Sequence, residues 1–375
     1  MQLPVLIALL VLAHTAFTGG RVALTLAAIR LGGTPFEVGL VLSMLAVLPM
    51  LLSVHAGRWT DRSSVGRPIL LALLMLEVAL LLALLPSLFG LAAAAVLLGS
   101  GFMLVHLAIN NAVGKGSAPG KLTHGFSVLA LGISTSTIAG PVLAGLLVDH
   151  VGGSQAFLAL AALPLLALAL LWQRRGEAAA VPPPPRKAHK ARTIDLLRHA
   201  PLRAVFVASA LLAMGWDLFT FMMPVHGAQA GLSASAIGLV MGAFGVGTFV
   251  VRLFMPALAR AFPPWRVLAG ALGVTALVYA LLPLFASVAP LLALAFVLGL
   301  GLGSALPMIM TALQEASPPG RSGEAIGVRT MLVNASQTLL PVSFGAIGSA
   351  GGSGVVFWAL AAILAGGALF AARKT

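Results

Sequence analysis

The chain has 375 residues, of which 60% are hydrophobic and 8% are charged, and its mean hydropathy is +1.07. Soluble domains have roughly a quarter of their residues charged, so this composition excludes an ordinary soluble protein and predicts one embedded in a lipid bilayer. The formal net charge of +13 does not indicate a nucleic-acid partner, because the basic residues lie in short loops between apolar segments, where they orient a membrane protein.

Apolar segments of about 20 residues, the length that crosses a hydrocarbon core, follow one another along the whole chain. They predict twelve membrane-spanning helices, near residues 3–28, 36–57, 68–86, 90–112, 122–148, 154–173, 202–228, 234–258, 266–285, 289–313, 324–347 and 355–372. The first segment lacks a preceding basic stretch and is too long for the apolar core of a signal peptide, so we expect it to be retained. The predicted fold class is an all-α membrane protein.

One long polar segment interrupts the series of helices. It runs over residues 174–201 and contains four consecutive prolines, Pro182 to Pro185, followed by basic residues. This composition is typical of an extended, solvated linker. The predicted organisation is therefore a six-helix bundle over residues 1–173, a cytoplasmic linker over 174–201 and a second six-helix bundle over 202–375.

The basic residues predict the orientation of the chain. If both termini are cytoplasmic, most of the 22 Lys and Arg residues fall in inner loops, as the positive-inside rule requires. Arg30 falls in an outer loop, whereas Arg21, Arg252 and Arg329 lie within predicted helices. We expect a monomeric, multi-pass protein of a bacterial inner membrane, surrounded by the lipid bilayer.

An internal repeat relates the two predicted bundles. Residues 98–101, Leu-Gly-Ser-Gly, match residues 298–301, Leu-Gly-Leu-Gly, and residues 117–121 match residues 317–321 at the same offset. Because the matches include loop residues and charges, they indicate a duplication rather than a shared apolar composition. Parallel repeats of this kind are typical of transporters that bind substrate between the halves, near the membrane midplane.

A charged motif follows the second predicted helix. Residues 57–68, Gly-Arg-Trp-Thr-Asp-Arg-Ser-Ser-Val-Gly-Arg-Pro, contain a Gly, an Asp-Arg pair and then Gly-Arg. This pattern resembles the cytoplasmic loop motif of the major facilitator superfamily, from which it departs by extra length between the Asp and the second Gly. The resemblance implies the major facilitator fold, with two pseudo-symmetric six-helix bundles. It also implies a conformational latch formed by Gly57, Asp61, Arg62, Gly66 and Arg67.

The chemistry of these loop residues suits a latch. Gly57 is expected to let neighbouring helices approach closely. Asp61 can lie against the positive end of a helix dipole, and Arg62 or Arg67 can pair with carboxylates or lipid phosphates. The alternative is that the arginines only anchor the loop on the inner side of the membrane.

The fifth predicted helix contains a set of small residues and a proline: Gly132, Gly140, Pro141 and Gly145. This set resembles the fifth-helix motif of proton-driven drug antiporters, although Ser136 and Ala144 stand where glycines are usual. The resemblance implies proton-coupled efflux. The alternative is that the small residues serve ordinary close packing between helices.

Ionisable residues inside membrane helices are costly and mark transport pathways or internal pairs. Asp217, in the seventh predicted helix, corresponds under the repeat to Thr18, one turn from Arg21 in the first. We expect Asp217 to bind the coupling proton or cation, with Arg21 keeping it ionised until substrate or a proton displaces it. The alternative is a permanent Arg–Asp bridge that ties the halves together. Glu77, in the third predicted helix, is a second candidate acid.

Other polar residues of the predicted helices complete the candidate pathway, namely His14, His106, Arg329, Asn334 and Gln337. A histidine can relay protons, although a hydrogen-bonded packing histidine is the commoner case. The three residues of the eleventh helix can share one face. An anionic substrate suits Arg21 and Arg329, whereas a lipophilic cation suits Asp217 with an apolar wall formed by Trp216, Phe219 and Phe221.

Several kinds of function are not expected from this sequence. It has no cysteine, no His-Glu-x-x-His or Gly-x-Ser-x-Gly motif and no Gly-x-x-x-x-Gly-Lys phosphate loop. We therefore expect no enzyme, no nucleotide-driven pump, no cofactor and no metal site. Met222, Met223 and His226 are a weak metal candidate, because methionines in membrane helices are usually packing residues.

The predicted function is secondary active transport of a small molecule by alternating access. We expect proton-coupled efflux, with the proton gradient as the energy source. The alternative is a proton-coupled uptake permease for a small metabolite or organic anion. A metal permease and a non-transporting membrane sensor are weaker alternatives.

Overall fold

In a computed structural model, the chain is helical throughout the residues that the structure describes, 2–116, 122–174, 194–318 and 322–374, apart from short turns. The helices of the first half are α1 (Leu3–Arg30), α2 (Pro35–Arg62), α3 (Gly66–Leu82), α4 (Leu88–Gly116), α5 (Leu122–His150) and α6 (Gly153–Gln173). Those of the second half are a short α7 (Ile194–Arg198), α8 (Ala200–Gln229), α9 (Ala234–Ala261), α10 (Pro264–Leu281), α11 (Val288–Ala316) and α12 (Ser322–Ala372). The backbone of α12 breaks at Gly352, so α12 is two successive helices.

Each of the twelve predicted segments corresponds to a helix, and the predicted all-α fold is confirmed for the described residues. Among the described residues, ten ranges are long and apolar enough to cross a bilayer, judged by length and composition. The count is lower than twelve because α3 has only 17 residues and because the two parts of α12 form one range. Most of the predicted linker, residues 175–193, lies outside the described residues, as do residues 117–121 and 319–321 of the repeat.

Two helices end earlier than predicted. The third and ninth segments were expected to reach residues 86 and 285, but α3 ends at Leu82 and α10 ends at Leu281. Pro86 and Pro283 follow these ends. Proline has no backbone N–H and disfavours helical geometry in the residue before it, so each helix stops ahead of its proline.

Four turns contain a glycine with a positive φ angle, at matching positions in the two halves. In the described part of the chain, the residues with positive φ are Gly32, Gly152, Gly231 and Gly352. Each follows the end of a membrane helix, and Gly32 pairs with Gly231, and Gly152 with Gly352, at the offset of the sequence repeat. Glycine adopts positive φ without a steric penalty, so the repeat preserves turn geometry as well as apolar length.

The chain divides into two compact units. Unit 1 comprises Met1–Lys187 and Ser233–Gly242, and unit 2 comprises Ala188–Leu232 and Ala243–Thr375. In unit 1, α1 packs against α4, α5 and α6, while α4 packs against α2 and α3. In unit 2, α12 packs against α8 and α10, and α11 packs against α10 and α8. The predicted bundle boundaries stay predictions.

The first glycine of the repeated Leu-Gly-x-Gly segment makes the same contact in both units. In unit 1, a Cβ on Gly99 of α4 would overlap the carbonyl oxygen of Leu45 on α2. In unit 2, a Cβ on Gly299 of α11 would overlap the carbonyl oxygen of Phe244 on α9. Only glycine permits two helix backbones to approach this closely.

The second glycine of the segment faces a different helix. A Cβ on Gly101 would lie 2.8 Å from the carbonyl oxygen of Ala72 on α3, and a Cβ on Gly301 would lie 3.5 Å from that of Ala271 on α10. The repeated segment therefore places α4 and α11 against two neighbouring helices at once. The residues that match between the two halves therefore lie at corresponding helix crossings.

Candidate functional site

His14 forms a polar connection between α1 and α5. Its imidazole is 7% exposed, and its Nδ1 lies 2.8 Å from Oγ of Ser136. The Ser136 hydroxyl is also 2.8 Å from the carbonyl oxygen of Gly132, to which it donates its single hydrogen. The same hydroxyl oxygen therefore accepts from N–H at Nδ1 of His14. Ser136, which replaces a glycine in the resembled motif, is thus the partner of a predicted pathway residue.

Four rings stack between α1 and α4. The ring of Phe102 lies 4.4 Å from that of Phe17, 4.8 Å from His14 and 5.6 Å from His106, measured between centroids, with interplanar angles of 30° or less. Phe17, Phe102 and His106 are half-buried, whereas His14 is buried. We call His14, Phe17, Phe102 and His106 the ring stack. The structure therefore brings together both predicted histidines of the first half, with two phenylalanines that the sequence did not single out.

The glycines of the fifth-helix motif pack against α1. A Cβ on Gly140 would overlap the Thr18 hydroxyl and lie 2.8 Å from the backbone nitrogen of Gly19. A Cβ on Gly132 would lie 3.0 Å from a methyl carbon of Val11. Both glycines therefore lie where α1 and α5 pack closely, and the efflux interpretation of the motif stays a prediction.

The remaining part of the motif packs against the start of α9, within unit 1. A Cβ on Gly145 would overlap the carbonyl oxygen of Ala234, and a Cβ on Gly238 would overlap the carbonyl oxygen of Pro141. The helices α5 and α9 therefore meet backbone to backbone along this seam. Pro141 lies inside α5, and Gly145 follows it by one turn.

Asp149, near the C-terminal end of α5, closes the seam, and the sequence alone did not identify it. Its carboxylate accepts hydrogen bonds from the backbone nitrogens of Ala234, at 3.1 Å, and Ser235, at 2.6 Å. These two amides begin α9, so the negative charge lies at the positive end of the helix dipole. Two features of the sequence could have indicated this contact: an acid at the end of one predicted helix and a serine, Ser233, just before another.

Removal of the Asp149 carboxylate is expected to lower the thermal stability of the purified protein. Asp149→Ala loses two charge-assisted bonds at an exposed position, and a lost helix cap costs about 1 kcal/mol. The control is Glu315→Ala, which removes an exposed acid near the end of α11. Thermal unfolding in detergent followed by tryptophan fluorescence should show a lower midpoint for Asp149→Ala only. Equal midpoints for the two variants would contradict a capping role.

Two further predicted residues lie in unit 1. Arg21 is half-buried on α1, seven residues after His14. Glu77 is half-buried on α3, and its Oε2 atom is buried with no hydrogen-bond partner among the residues that the structure describes. Arg21 belongs to unit 1 and Asp217 to unit 2, and their pairing stays a prediction.

Asp217 is buried inside unit 2. It lies on α8 and is 2% exposed. Tyr279, on α10, is completely buried, donates its hydroxyl hydrogen to the carbonyl oxygen of Gly215 and interacts electrostatically with Asp217. The predicted coupling acid therefore lies two residues after the carbonyl that binds this phenol, within the same unit.

Tyr279 is a site residue that the sequence did not reveal. It is the single tyrosine of the chain and occurs in a predominantly apolar helix. A buried phenol needs a hydrogen-bond partner, so this composition was an available signal for an internal polar contact. The sequence could not identify that partner, because it does not show which helix packs against α10.

Arg329 connects α12 to α8. Its Nε donates to Oγ of Ser209 at 2.7 Å. The other predicted residues of this helix, Asn334 and Gln337, are half-buried. In each unit a polar hydrogen bond thus joins the first long helix to the fifth, through His14 and Ser136 in one and through Ser209 and Arg329 in the other.

The predicted aromatic wall beside Asp217 is wrong in two of its three members. Phe219 and Phe221 have no exposed surface, so they belong to the core of unit 2. Trp216 is half-buried, and its ring lies 4.7 Å from that of Phe244. Alternate residues of a helix point in different directions, so three nearby aromatic residues cannot all face one cavity.

The loop motif spans the last residues of α2, which ends at Arg62, the turn that follows and the start of α3, which begins at Gly66. Within the described part of the chain, no heavy atom lies within 4 Å of a Cβ placed on Gly57. The expected close helix approach at Gly57 is therefore wrong for these residues. Arg67 is exposed, and the side chains of Asp61 and Arg62 lie outside the described part. The latch stays a prediction.

Three solved structures are similar to this one over nearly their whole length. A POT family transporter in complex with a thioalcohol-conjugated peptide has a TM-score of 0.82 at 15% identity, covering 98% of this chain and 94% of that one. A POT family transporter in complex with 5-aminolevulinic acid has a TM-score of 0.79 at 16% identity, covering 98% and 94%. A bacterial homologue of the human lysosomal transporter Spinster, inward-facing and unoccupied, has a TM-score of 0.78 at 15% identity, covering 99% and 96%. At these identities, the similarity establishes the fold.

No curated protein matches the chain significantly. The model of the Major Facilitator Superfamily matches residues 6–288 and 205–374. Because these two ranges together cover nearly the whole sequence, the chain belongs to the Major Facilitator Superfamily, a family of multi-pass membrane transporters.

Proposed function

We propose that the chain is a proton-coupled secondary active transporter that moves a small molecule by alternating access, with Asp217 as the proton-binding acid. The supporting observation is the burial of Asp217, which is 2% exposed on a membrane-spanning helix. An ionised carboxylate in such surroundings is costly unless it is paired, so binding and release of a proton changes its interactions strongly.

Asp217 is a better candidate than Glu77. Glu77 lies on α3 and is half-buried, whereas Asp217 is buried on α8, two residues after Gly215, whose carbonyl oxygen accepts from the Tyr279 hydroxyl of α10. A change of charge at Asp217 therefore acts on a contact between two helices of unit 2.

The proposed direction is export, across the inner membrane of a bacterium, by a monomer with both termini in the cytoplasm. The likeness of the fifth helix to that of proton-driven drug antiporters supports export. The distribution of Lys and Arg supports the orientation.

The second candidate is uptake of a small metabolite or organic anion. Arg329, a half-buried cation held by Ser209, favours that candidate, and the fold is shared with POT transporters solved with a peptide and with 5-aminolevulinic acid.

Transport into proteoliposomes under an imposed pH gradient tests this proposal. The purified full-length protein is reconstituted and supplied with radiolabelled or fluorescent cationic dyes, sugars, amino acids and organic anions. Accumulation driven by an acidic lumen indicates proton antiport, and hence export in the cell. Accumulation driven by an acidic exterior indicates proton symport, and hence uptake. A protonophore should abolish either flux, and a protonophore-resistant flux would overturn proton coupling.

A further inference from the structure

The ring stack and Arg21 lie along one side of α1. His14, Phe17 and Arg21 are separated by three and four residues, a spacing that places them on the same face of a helix. Phe102 and His106, one turn apart on α4, extend this face by stacking on the α1 rings. An aromatic surface and a guanidinium therefore lie next to each other on unit 1.

Part of this aromatic surface is accessible. Phe17, Phe102 and His106 are half-buried, unlike Phe219 and Phe221, which have no exposed surface. The stacked planes deviate by 14° for Phe17 and 23° for His106 relative to Phe102. Nearly parallel rings with an exposed side can accept another flat ring by offset stacking or edge contact.

The charges around the ring stack favour a negatively charged ligand. Neither α1 nor α4 contains Asp or Glu, and Arg21 and two imidazoles supply the polar groups of this face. The other helices that pack most extensively against α1 are α5 and α6. Among these, α6 has no acidic residue and Asp149 lies at the far end of α5, capping α9. The helices that pack most extensively against α4 are α2, whose Glu37 and Asp61 lie near its two ends, and α3, which carries the half-buried Glu77. Arg21 is therefore the charged group on the face that carries the rings, and the acids lie on other helices. An organic cation here meets like charge, whereas a carboxylate can bind a guanidinium through two parallel hydrogen bonds.

We propose that the ring stack and Arg21 form a binding subsite for an aromatic organic anion, with the ring of the ligand against Phe17 and Phe102 and its carboxylate toward Arg21. This inference rests on the proposed transport function and names its substrate class. Two substrate classes suit the charged residues of the sequence, an anion and a lipophilic cation. The subsite selects the organic anion.

Equilibrium binding to the full-length protein in lipid nanodiscs tests the subsite without any gradient. The probes are 1-naphthoate, cyclohexanecarboxylate, which has the charge without the aromatic ring, and 1-naphthylmethylamine, which has the ring with the opposite charge. Empty nanodiscs correct for partition into lipid. We expect 1-naphthoate to bind at least about tenfold more tightly than either control, a ratio equivalent to about 1.4 kcal/mol.

Matched variants locate the binding on the ring stack. Phe102→Leu should weaken 1-naphthoate binding about tenfold, because a stacking contact is worth about 0.5–1.5 kcal/mol beyond area burial. Phe102→Tyr keeps the ring and should keep the affinity. Phe89→Leu makes the same change on the same helix at a position that is 85% exposed, and it should have no effect. Arg21→Gln should remove the preference for the anion.

The possible outcomes separate this subsite from the transport mechanism. Tighter binding of the amine than of 1-naphthoate, or equal effects of Phe102→Leu and Phe89→Leu, would overturn the subsite. Retained 1-naphthoate binding without any pH-driven flux would support the subsite and count against proton coupling. Proton-driven flux of another substrate, with no binding of 1-naphthoate, would leave the proposed function standing and overturn the subsite.

Discussion

Asp217→Asn is expected to reduce pH-driven transport to the level of protein-free liposomes while leaving the protein folded. The amide has nearly the shape of the carboxylic acid but cannot gain or lose a proton in this range. Coupling to the gradient should therefore disappear, whereas substrate counterflow, which needs no net proton movement, should persist. Size-exclusion profiles and thermal unfolding midpoints close to those of the unsubstituted protein would establish that the fold is intact.

Two control variants make this test specific. Glu77→Gln changes the other candidate acid in the same way and should retain pH-driven flux. Asp217→Glu keeps an ionisable group on α8 and should restore part of the coupling. Unchanged pH-driven transport by Asp217→Asn would refute the assigned role, and loss in Glu77→Gln alone would transfer that role to α3.

Gly99→Ala and Gly299→Ala are expected to cause large losses of stability. The added Cβ of each would overlap a backbone carbonyl, that of Leu45 in unit 1 and that of Phe244 in unit 2, and a backbone cannot rotate away as a side chain can. Overpacking of this kind costs about 1–3 kcal/mol, occasionally more. We expect a reduced yield of monodisperse protein and a lower unfolding midpoint for each variant.

Gly270→Ala on α10 is the matched control for these substitutions. Among the described residues, no heavy atom lies within 4 Å of a Cβ placed there. Alanine favours the helix over glycine by up to about 1 kcal/mol, so the midpoint should stay the same or rise. If Gly99→Ala and Gly270→Ala had the same midpoint, the close crossing of α2 and α4 would contribute little to stability.

The equivalence of the two units explains why both substitutions should act alike. Gly99 and Gly299 are related by the sequence repeat, and so are the residues that they meet, apart from a shift of one position. A similar fall in midpoint for the two variants would show that the duplicated segment retains one packing role. A large effect in one unit alone would show that the two helix crossings now differ in how well they tolerate an added Cβ.

The candidate site was only partly predictable from the sequence. Asp217, His14 and Arg329 were identified because a polar side chain in a membrane helix is costly and therefore informative. Their neighbours were not identified. Ser136 and Tyr279 are contacts across helices, and no periodicity within one helix specifies which residue of another helix faces it.

Burial corrected the prediction where residue type alone had been used. Phe219 and Phe221 had been placed in a wall beside Asp217, yet both are core residues of unit 2. Phe17 and Phe102 had not been considered, yet both are half-buried on the face that carries His14. An apolar ring suits lipid, a protein core and a cavity equally well, so residue type alone does not reveal its role and its surroundings must be known.

The sequence by itself determined the class of the fold, because long apolar segments in a bilayer satisfy their backbone groups within a helix. It also determined the duplication, since the repeated glycines and loop residues are visible without coordinates. Only the tertiary structure decided which helices cross at those glycines, that Asp149 caps α9 and that the rings of His14 and Phe102 stack. These features depend on distances between residues far apart in the chain, and such distances are set by packing rather than by local propensity.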